Sequence, residues 1–210
     1  MVVATGLRPN VEIAESAGIA LGPTGAIAVD DRMQTSAASV FAAGDCVETT
    51  HLVTRRPAWI PLGTTANKQG RVAGENASGL GGRARFPGVM GTMVTQIFGL
   101  ECARTGLSER EAEAAGFRAV SVGIEQYAQA GYLSKEKVFV KLIGERGSGR
   151  LLGAQMCGAG AGKRVDAVAV ALHARMTVEE LPLLDLSYHP AVAPVWEAVL
   201  VAAHELAKQL

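Results

Sequence analysis

Hydrophobic positions in the first third of the chain come in short runs broken by Gly, Pro and Asp, the pattern of buried strands joined by tight turns. Val2-Val3-Ala4-Thr5-Gly6 reads as a buried strand that enters a turn, and Leu7-Arg8-Pro9-Asn10 as a loop. A short helix is expected over residues 11–17, closing near Gly18, with a turn at Pro23-Thr24-Gly25. Ile27-Ala28-Val29 is a short strand closed by Asp30-Asp31, and Ser39-Val40-Phe41-Ala42-Ala43 is another, ending at Gly44-Asp45. Residues 61–76, with Pro near the start, form a helix that stops near Gly79. Leu80-Gly81-Gly82 has the composition of a domain boundary. A central strand with nothing before it is also a sign that the chain is a piece of something larger.

The pattern then changes. Residues 93–99 and 101–104 read as paired strands around a turn. Residues 108–115 read as a helix with Ser108 at the N-cap, Glu111 at capping-box spacing and Gly116 at its end. Strands are expected at 119–127 and 138–143. A polar turn over 145–149 leads to a return strand at 151–157. A strongly apolar helix over 161–176, a short capped helix over 177–181 and a last helix over 194–209 complete the chain. Strands followed by helices imply an α+β arrangement, with a central antiparallel sheet and helices on one face, rather than a βαβ repeat.

Composition narrows the function classes. Lys+Arg and Asp+Glu both number 20, so no basic footprint for nucleic acid or an anionic membrane exists. No apolar run reaches the roughly 20 residues a membrane helix needs. The amino terminus lacks a secretory leader pattern, so a cytoplasmic protein is expected. Cys46, Cys102 and Cys157 are odd in number and far apart. They are expected to be buried or half-buried thiols, with neither a disulfide framework nor a metal site.

The strongest local chemistry lies at Thr35 to Asp45. A strand leads to a Gly that lets backbone approach a ligand, and a carboxylate follows at once. Asp45 there is either an acceptor for sugar hydroxyls or a turn aspartate. The pattern T-x-x-x-x-x-F-A-x-G-D resembles the second flavin-binding motif of the FAD-dependent pyridine nucleotide-disulfide oxidoreductases. Ala4-Thr5-Gly6-Leu7-Arg8-Pro9-Asn10 is similar to that family's A-T-G-x-x-P-N motif. Pro61-Leu62-Gly63-Thr64-Thr65-Ala66-Asn67-Lys68-Gln69-Gly70-Arg71 resembles the helix that points its N-terminus at the flavin ring in the coenzyme A-disulfide reductase and NADH oxidase branch. Gly91 to Gly106 and Leu151-Leu152-Gly153-Ala154-Gln155 are similar to segments of the family's dimerisation domain.

The resemblance implies an α/β plus α+β chain: a remnant of a FAD-binding domain over residues 1–85, then an antiparallel-sheet dimerisation domain over 86–210. It places Gly6, Gly44, Asp45, Pro61, Leu62, Gly63, Thr64, Thr65 and Ala66 at FAD, with Asp45 on the ribityl chain. His51-Leu52-Val53-Thr54 matches a segment that could touch flavin or pyridine nucleotide. Tyr132, in Ala130-Gly131-Tyr132, and Tyr188, in Tyr188-x-Pro190-x-x-x-Pro194-x-Trp196, look like the tyrosines that reach the other subunit's active cysteine and substrate in coenzyme A-disulfide reductases. His189-Pro190 resembles instead the His-Pro pair of glutathione reductase relatives, whose His is an acid–base group. Ala191-Val192-Ala193-Pro194 lacks the Ser/Thr and the orienting Glu of those relatives, so His189 is read either as catalytic or as a solvent or interface histidine. His173 and His204 are expected to be structural. Gly158-Ala159-Gly160-Ala161-Gly162 is expected to be a close-packing loop rather than a dinucleotide fingerprint.

The family's redox cysteine and nicotinamide domain have no counterpart in this sequence. The chain is therefore expected to need a missing N-terminal half or a second subunit, and to be inactive alone. The intact enzyme would take electrons from NAD(P)H through FAD to a small disulfide, such as coenzyme A disulfide, or to oxygen, as a homodimer through residues 90–210. A stand-alone dimerisation or partner-binding module and a subunit of a two-chain flavoenzyme are the alternatives.

Overall fold

The computed structural model describes residue 1, residues 3–79 and residues 83–210. They divide into two compact units, Met1–Val89 and Met90–Leu210. The expected boundary tripeptide Leu80-Gly81-Gly82 lies outside the described residues, as does Val2.

The first unit holds a short helix α1 (Glu12–Ser16), a two-residue ladder of β1 (Thr49–Thr50) and β2 (Pro57–Ala58), and one long helix, α2 (Gly63–Ala77). Its small core gathers Ala14, Ile27 and Val47, with Val11, Ile19, Leu21, Val29, Ala42 and Cys46 packed around them. Three expected strands are absent. Residues 3–6 are exposed and carry no ladder. Ile27 makes only single bridges to Leu21 and Val47, and Phe41 one to Gln34. These apolar runs satisfy the burial pattern of strands, but a strand also needs a neighbour along its length, and here each finds a partner at one rung. Helix α2 begins two residues later than expected, at Gly63, and Ser78 caps its end. Its buried Asn76 donates to the carbonyls of Arg32 (3.0 Å) and Ala84 (2.9 Å), tying two loops to the helix.

The second unit is built on a five-stranded antiparallel sheet in the order β3-β4-β7-β6-β5. The strands are β3 (Met93–Ile97), β4 (Leu100–Gly106), β5 (Ala119–Tyr127), β6 (Lys137–Glu145) and β7 (Leu151–Gly158). Period-two alternation makes the sheet two-faced. Val138, Val140 and Leu142 of β6 are buried with Ala154 and Met156 of β7, while Lys137 and Phe139 are exposed. Helices α4 (Ala161–Ala174) and α5 (Ala198–Ala207) bury Val165, Val168, Leu172, Ala202 and Leu206. Helix α3 (Glu109–Ala114) opens with the expected capping box between Ser108 and Glu111. Its Glu109 carboxylate accepts from Lys141 Nζ at 2.7 Å, on the face opposite Val140 and Leu142. The helices are therefore not confined to one face of the sheet. Residues 177–181, expected as a short helix, form a 3-10 helix at Val178–Leu183 with its own capping box, and the last helix begins only at Ala198.

The expectation of three free thiols is overturned. Cys102 and Cys157 stand directly opposite each other on β4 and β7, with Cα atoms 4.3 Å apart, and form a disulfide. Their separation of 55 residues hid a pairing that strand register creates. Cys46 remains a free, half-buried thiol. Among the described residues no helix is long and apolar enough to cross a membrane, and no group of three or more His, Cys, Asp or Glu side chains could hold a metal ion.

Candidate functional site

Two groups of predicted site residues form, one in each unit. In the first unit the chain reaches Gly44 at φ +93°, a left-handed conformation that favours glycine. The Gly44 amide donates to Gln69 Oε1 at 2.9 Å, which joins the turn to α2. Ala66, one turn earlier on the same helix, would lie 3.7 Å from a Cβ at Gly44. Asp45 follows with an exposed carboxylate, and its carbonyl accepts from Trp59 Nε1 at 2.7 Å. Gly44 and Ala66 are thus brought together; Thr65 is buried, and Gly63 and Thr64 are exposed at the helix start. Pro61 and Leu62 lead into that start half-buried. Gly6 lies in the exposed opening segment with open space around its Cβ position, so no contact ties it to this group.

Two features of α2 call for an acceptor. Its N-cap, Leu62, makes no side-chain hydrogen bond, so the first amides of a 15-residue helix face outward with their positive dipole end uncapped. Gln69 is fully buried, and its Nε2 has no hydrogen-bond partner. An acceptor-rich cofactor with an anionic ring edge fits the helix start. Gln69 and Trp59 were not singled out from the sequence. The signal for Gln69 was its i, i+4 spacing from Thr65 on the helix face that is buried. His51 is buried in its own turn, where Nδ1 accepts from the Val53 amide at 3.2 Å.

In the second unit Tyr132 and the Tyr188-His189-Pro190 segment lie on two loops that are joined. The Ala130 amide donates to the Pro190 carbonyl at 2.9 Å, and Gln126 Nε2 donates to the Trp196 carbonyl at 2.5 Å. Tyr132 is 79% exposed, and Tyr188 and His189 are also exposed. The His189 carbonyl accepts from the Val192 and Ala193 amides, and its Nδ1 accepts from the Ala191 amide at 3.3 Å. Gly131 backs onto the Tyr127 ring, 2.9 Å from where its Cβ would be.

A residue missed in the sequence holds these loops. Arg164 of α4 pairs with Glu197 (2.7 Å) and donates to the carbonyls of Ala159 (2.8 Å) and Ala128 (2.6 Å). The signal was an arginine near the start of a largely apolar helix. His173 and His204 are exposed on α4 and α5, away from this constellation.

Two family models match the chain: the pyridine nucleotide-disulphide oxidoreductase model over residues 1–70 and the dimerisation domain of the same family over residues 92–199. The chain belongs to the pyridine nucleotide-disulphide oxidoreductases. As a member of that family it is similar to an NAD(P)H sulfur oxidoreductase (CoA-dependent) of Pyrococcus furiosus, 39% identical over 207 residues, which cover 98% of this chain and 46% of the relative. A solved NAD-dependent persulfide reductase from A. fulgidus superimposes with a TM-score of 0.93 at 43% identity, over 98% of this chain and 38% of the other. A FAD-dependent pyridine nucleotide-disulphide oxidoreductase from Desulfovibrio vulgaris does so with a TM-score of 0.82 at 35% identity, over 98% and 48%. The chain spans just under half the length of the curated relatives it matches.

Proposed function

We propose that the chain is the carboxy-terminal part of a flavoprotein that carries electrons from NAD(P)H through FAD to a small disulfide or sulfane-sulfur compound linked to coenzyme A. The observation that carries this reading is the Gly44–Gln69 contact. It ties the turn that carries the exposed Asp45 to α2, with Gly44 close to Ala66 in the first turn of a helix that has no side-chain cap. Gly63, Thr64 and Thr65 would offer backbone amides, and Asp45 an acceptor for hydroxyls. Bound there, FAD would supply two-electron redox chemistry. The amides of α2 favour the negative charge that reduction brings. The sulfur compound is the reading of the acceptor because the named relatives act on sulfur and persulfide.

Tyr132, Tyr188 and His189 take the role of proton donors toward a thiolate supplied by the rest of the enzyme. Exposed apolar side chains, among them Leu183, Val192, Val195 and Trp196, support a homodimer surface on the second unit. The test is flavin retention by the complete protein that carries this chain. Replacing Asp45→Ala should weaken retention roughly tenfold or more, by loss of a charge-assisted hydrogen bond. Undiminished 450-nm absorbance in purified Asp45→Ala protein would remove Asp45 from the cofactor site.

A further inference from the structure

The disulfide between Cys102 and Cys157 has no part in the function proposed above. Three observations define what it can do. It joins two adjacent strands at the final rung of their ladder, which runs from Cys102↔Cys157 to Gly106↔Gly153. Both cysteines are half-buried, on the face opposite Ala103 and Met156, which are buried. Cys102 also pairs with Thr95 of β3, and beyond that rung only the outer part of the β3–β4 hairpin, Gln96 to Glu101, continues. Strand β3 is an edge strand whose five residues are all exposed, and the hairpin tip is Phe98-Gly99.

The sheet does not need the bond to form. The rungs Ala103↔Met156, Arg104↔Gln155, Thr105↔Ala154 and Gly106↔Gly153 remain without it. The Gly162 amide holds Glu101 Oε2 at 2.8 Å from the other side. Both redox states are therefore folded states, and they differ at one end of one ladder.

We propose that Cys102 and Cys157 form a reversible dithiol–disulfide couple. It exchanges with low-molecular-weight disulfides and controls how firmly the exposed β3–β4 hairpin is held. In the oxidising direction one cysteine thiolate attacks a small disulfide, whose S–S bond breaks and releases one thiol after protonation. The second cysteine then attacks the protein-bound sulfur of the mixed disulfide, closing the intrachain bond and releasing the second thiol. Two electrons pass from the cysteine pair to the small disulfide, and excess small thiol runs the sequence backwards. A cross-strand pair at a non-hydrogen-bonded position has Cα atoms about 4.5 Å apart in either state, so closure needs no rearrangement of the strands.

The test uses the folded chain in glutathione buffers, with N-ethylmaleimide trapping and peptide mass mapping. Excess glutathione disulfide should leave Cys102 and Cys157 unlabelled, and excess reduced glutathione should label both without denaturant. Hydrogen exchange over residues 93–101 should be at least several-fold faster in the reduced state. Cys102→Ser and Cys157→Ser should each leave the other cysteine as a mixed disulfide with glutathione, and both should exchange like the reduced protein. A pair that stays bonded in excess native thiol, or stays open in excess disulfide, overturns the couple. Equal exchange of the hairpin in the two states overturns its control of the hairpin.

Discussion

Arg164 and Glu197 form an ion pair whose side chains are only 13% and 10% exposed, and the guanidinium spends its remaining donors on the carbonyls of Ala128 and Ala159. One side chain thus closes the start of the loop that carries Tyr132, the loop before α4, and the segment that follows Tyr188 and His189. A planar guanidinium with donors in a fixed fork can serve three acceptors at once, which a lysine cannot. The exposed tyrosines are therefore displayed from loops with a buried polar anchor. The anchor lies on the apolar helix that also packs the sheet.

Removing that anchor should be expensive. Arg164→Ala leaves a carboxylate buried without a partner, along with two carbonyls that lose their donor, and should cost about 3 kcal/mol or more in urea unfolding. The double replacement Arg164→Met with Glu197→Leu should recover part of that loss, because it leaves no charge behind. Hydrogen exchange should separate the global effect from the local one. Residues 128–136 and 189–193 should lose protection in Arg164→Lys even where its stability stays near the parent. Equal stability of Arg164→Ala and the double variant would show that the pair is not desolvated in solution.

Glu111 gives a pH-dependent contribution. Burial raises its pKa, but the hydrogen bonds from Arg104 and from the Ser108 amide and hydroxyl outweigh burial and hold it at about 2. The folded value lies below the ordinary 4.5, so the folded state favours the charged form. The stabilisation is fully present above the unfolded pKa and is lost as pH falls from about 4.5 to about 2. The side chain is 48% exposed, so solvent screening reduces the effect to about 1 kcal/mol. Glu111→Gln should therefore be less stable than the parent at pH 7, and the difference should shrink through that acid window. A penalty independent of pH would mean that the carboxylate's charge has no part in the cap.

How much was legible depended on whether the signal was local. The capping box of Ser108 and Glu111 lies within four residues, and the structure reproduces it. Strands β5 and β6 have alternating burial written into much of their own sequence and β7 is a largely apolar run after a polar turn, and all three appear within two residues of expectation. The runs at residues 27–29 and 39–43 had the same apolar character but failed as strands, because a ladder also depends on a neighbour that composition does not specify. The Cys102–Cys157 bond and the Arg164–Glu197 pair join residues 55 and 33 positions apart, and only register and helix packing bring them together. At the candidate cofactor site the motif residues were readable, whereas the bond from the Gly44 amide to Gln69 joins residues 25 positions apart and depends on how the turn packs on α2.

Two glycines of the sheet offer a contrast that tests the packing directly. Neither Gly153 nor Gly123 has a left-handed φ, so any penalty for alanine is steric rather than conformational. A Cβ at Gly153 would meet the Leu107 carbonyl oxygen at 2.1 Å and its amide nitrogen at 2.5 Å. Leu107 is buried, and that amide is bonded to the Leu152 carbonyl at 3.0 Å, so neither strand can move without breaking the connection. A Cβ at Gly123 would meet only the tip of the Phe139 ring, 2.8 Å away, and that ring is exposed and free to swing. Gly153→Ala should therefore cost about 3 kcal/mol, at the upper end for overpacking. Gly123→Ala should fall within about 1 kcal/mol of the parent, because the entropy removed from the unfolded chain offsets the small displacement. Urea unfolding with unchanged slopes measures both. Equal penalties at the two positions would mean that the close approach of Leu107 to β7 is not kept in solution.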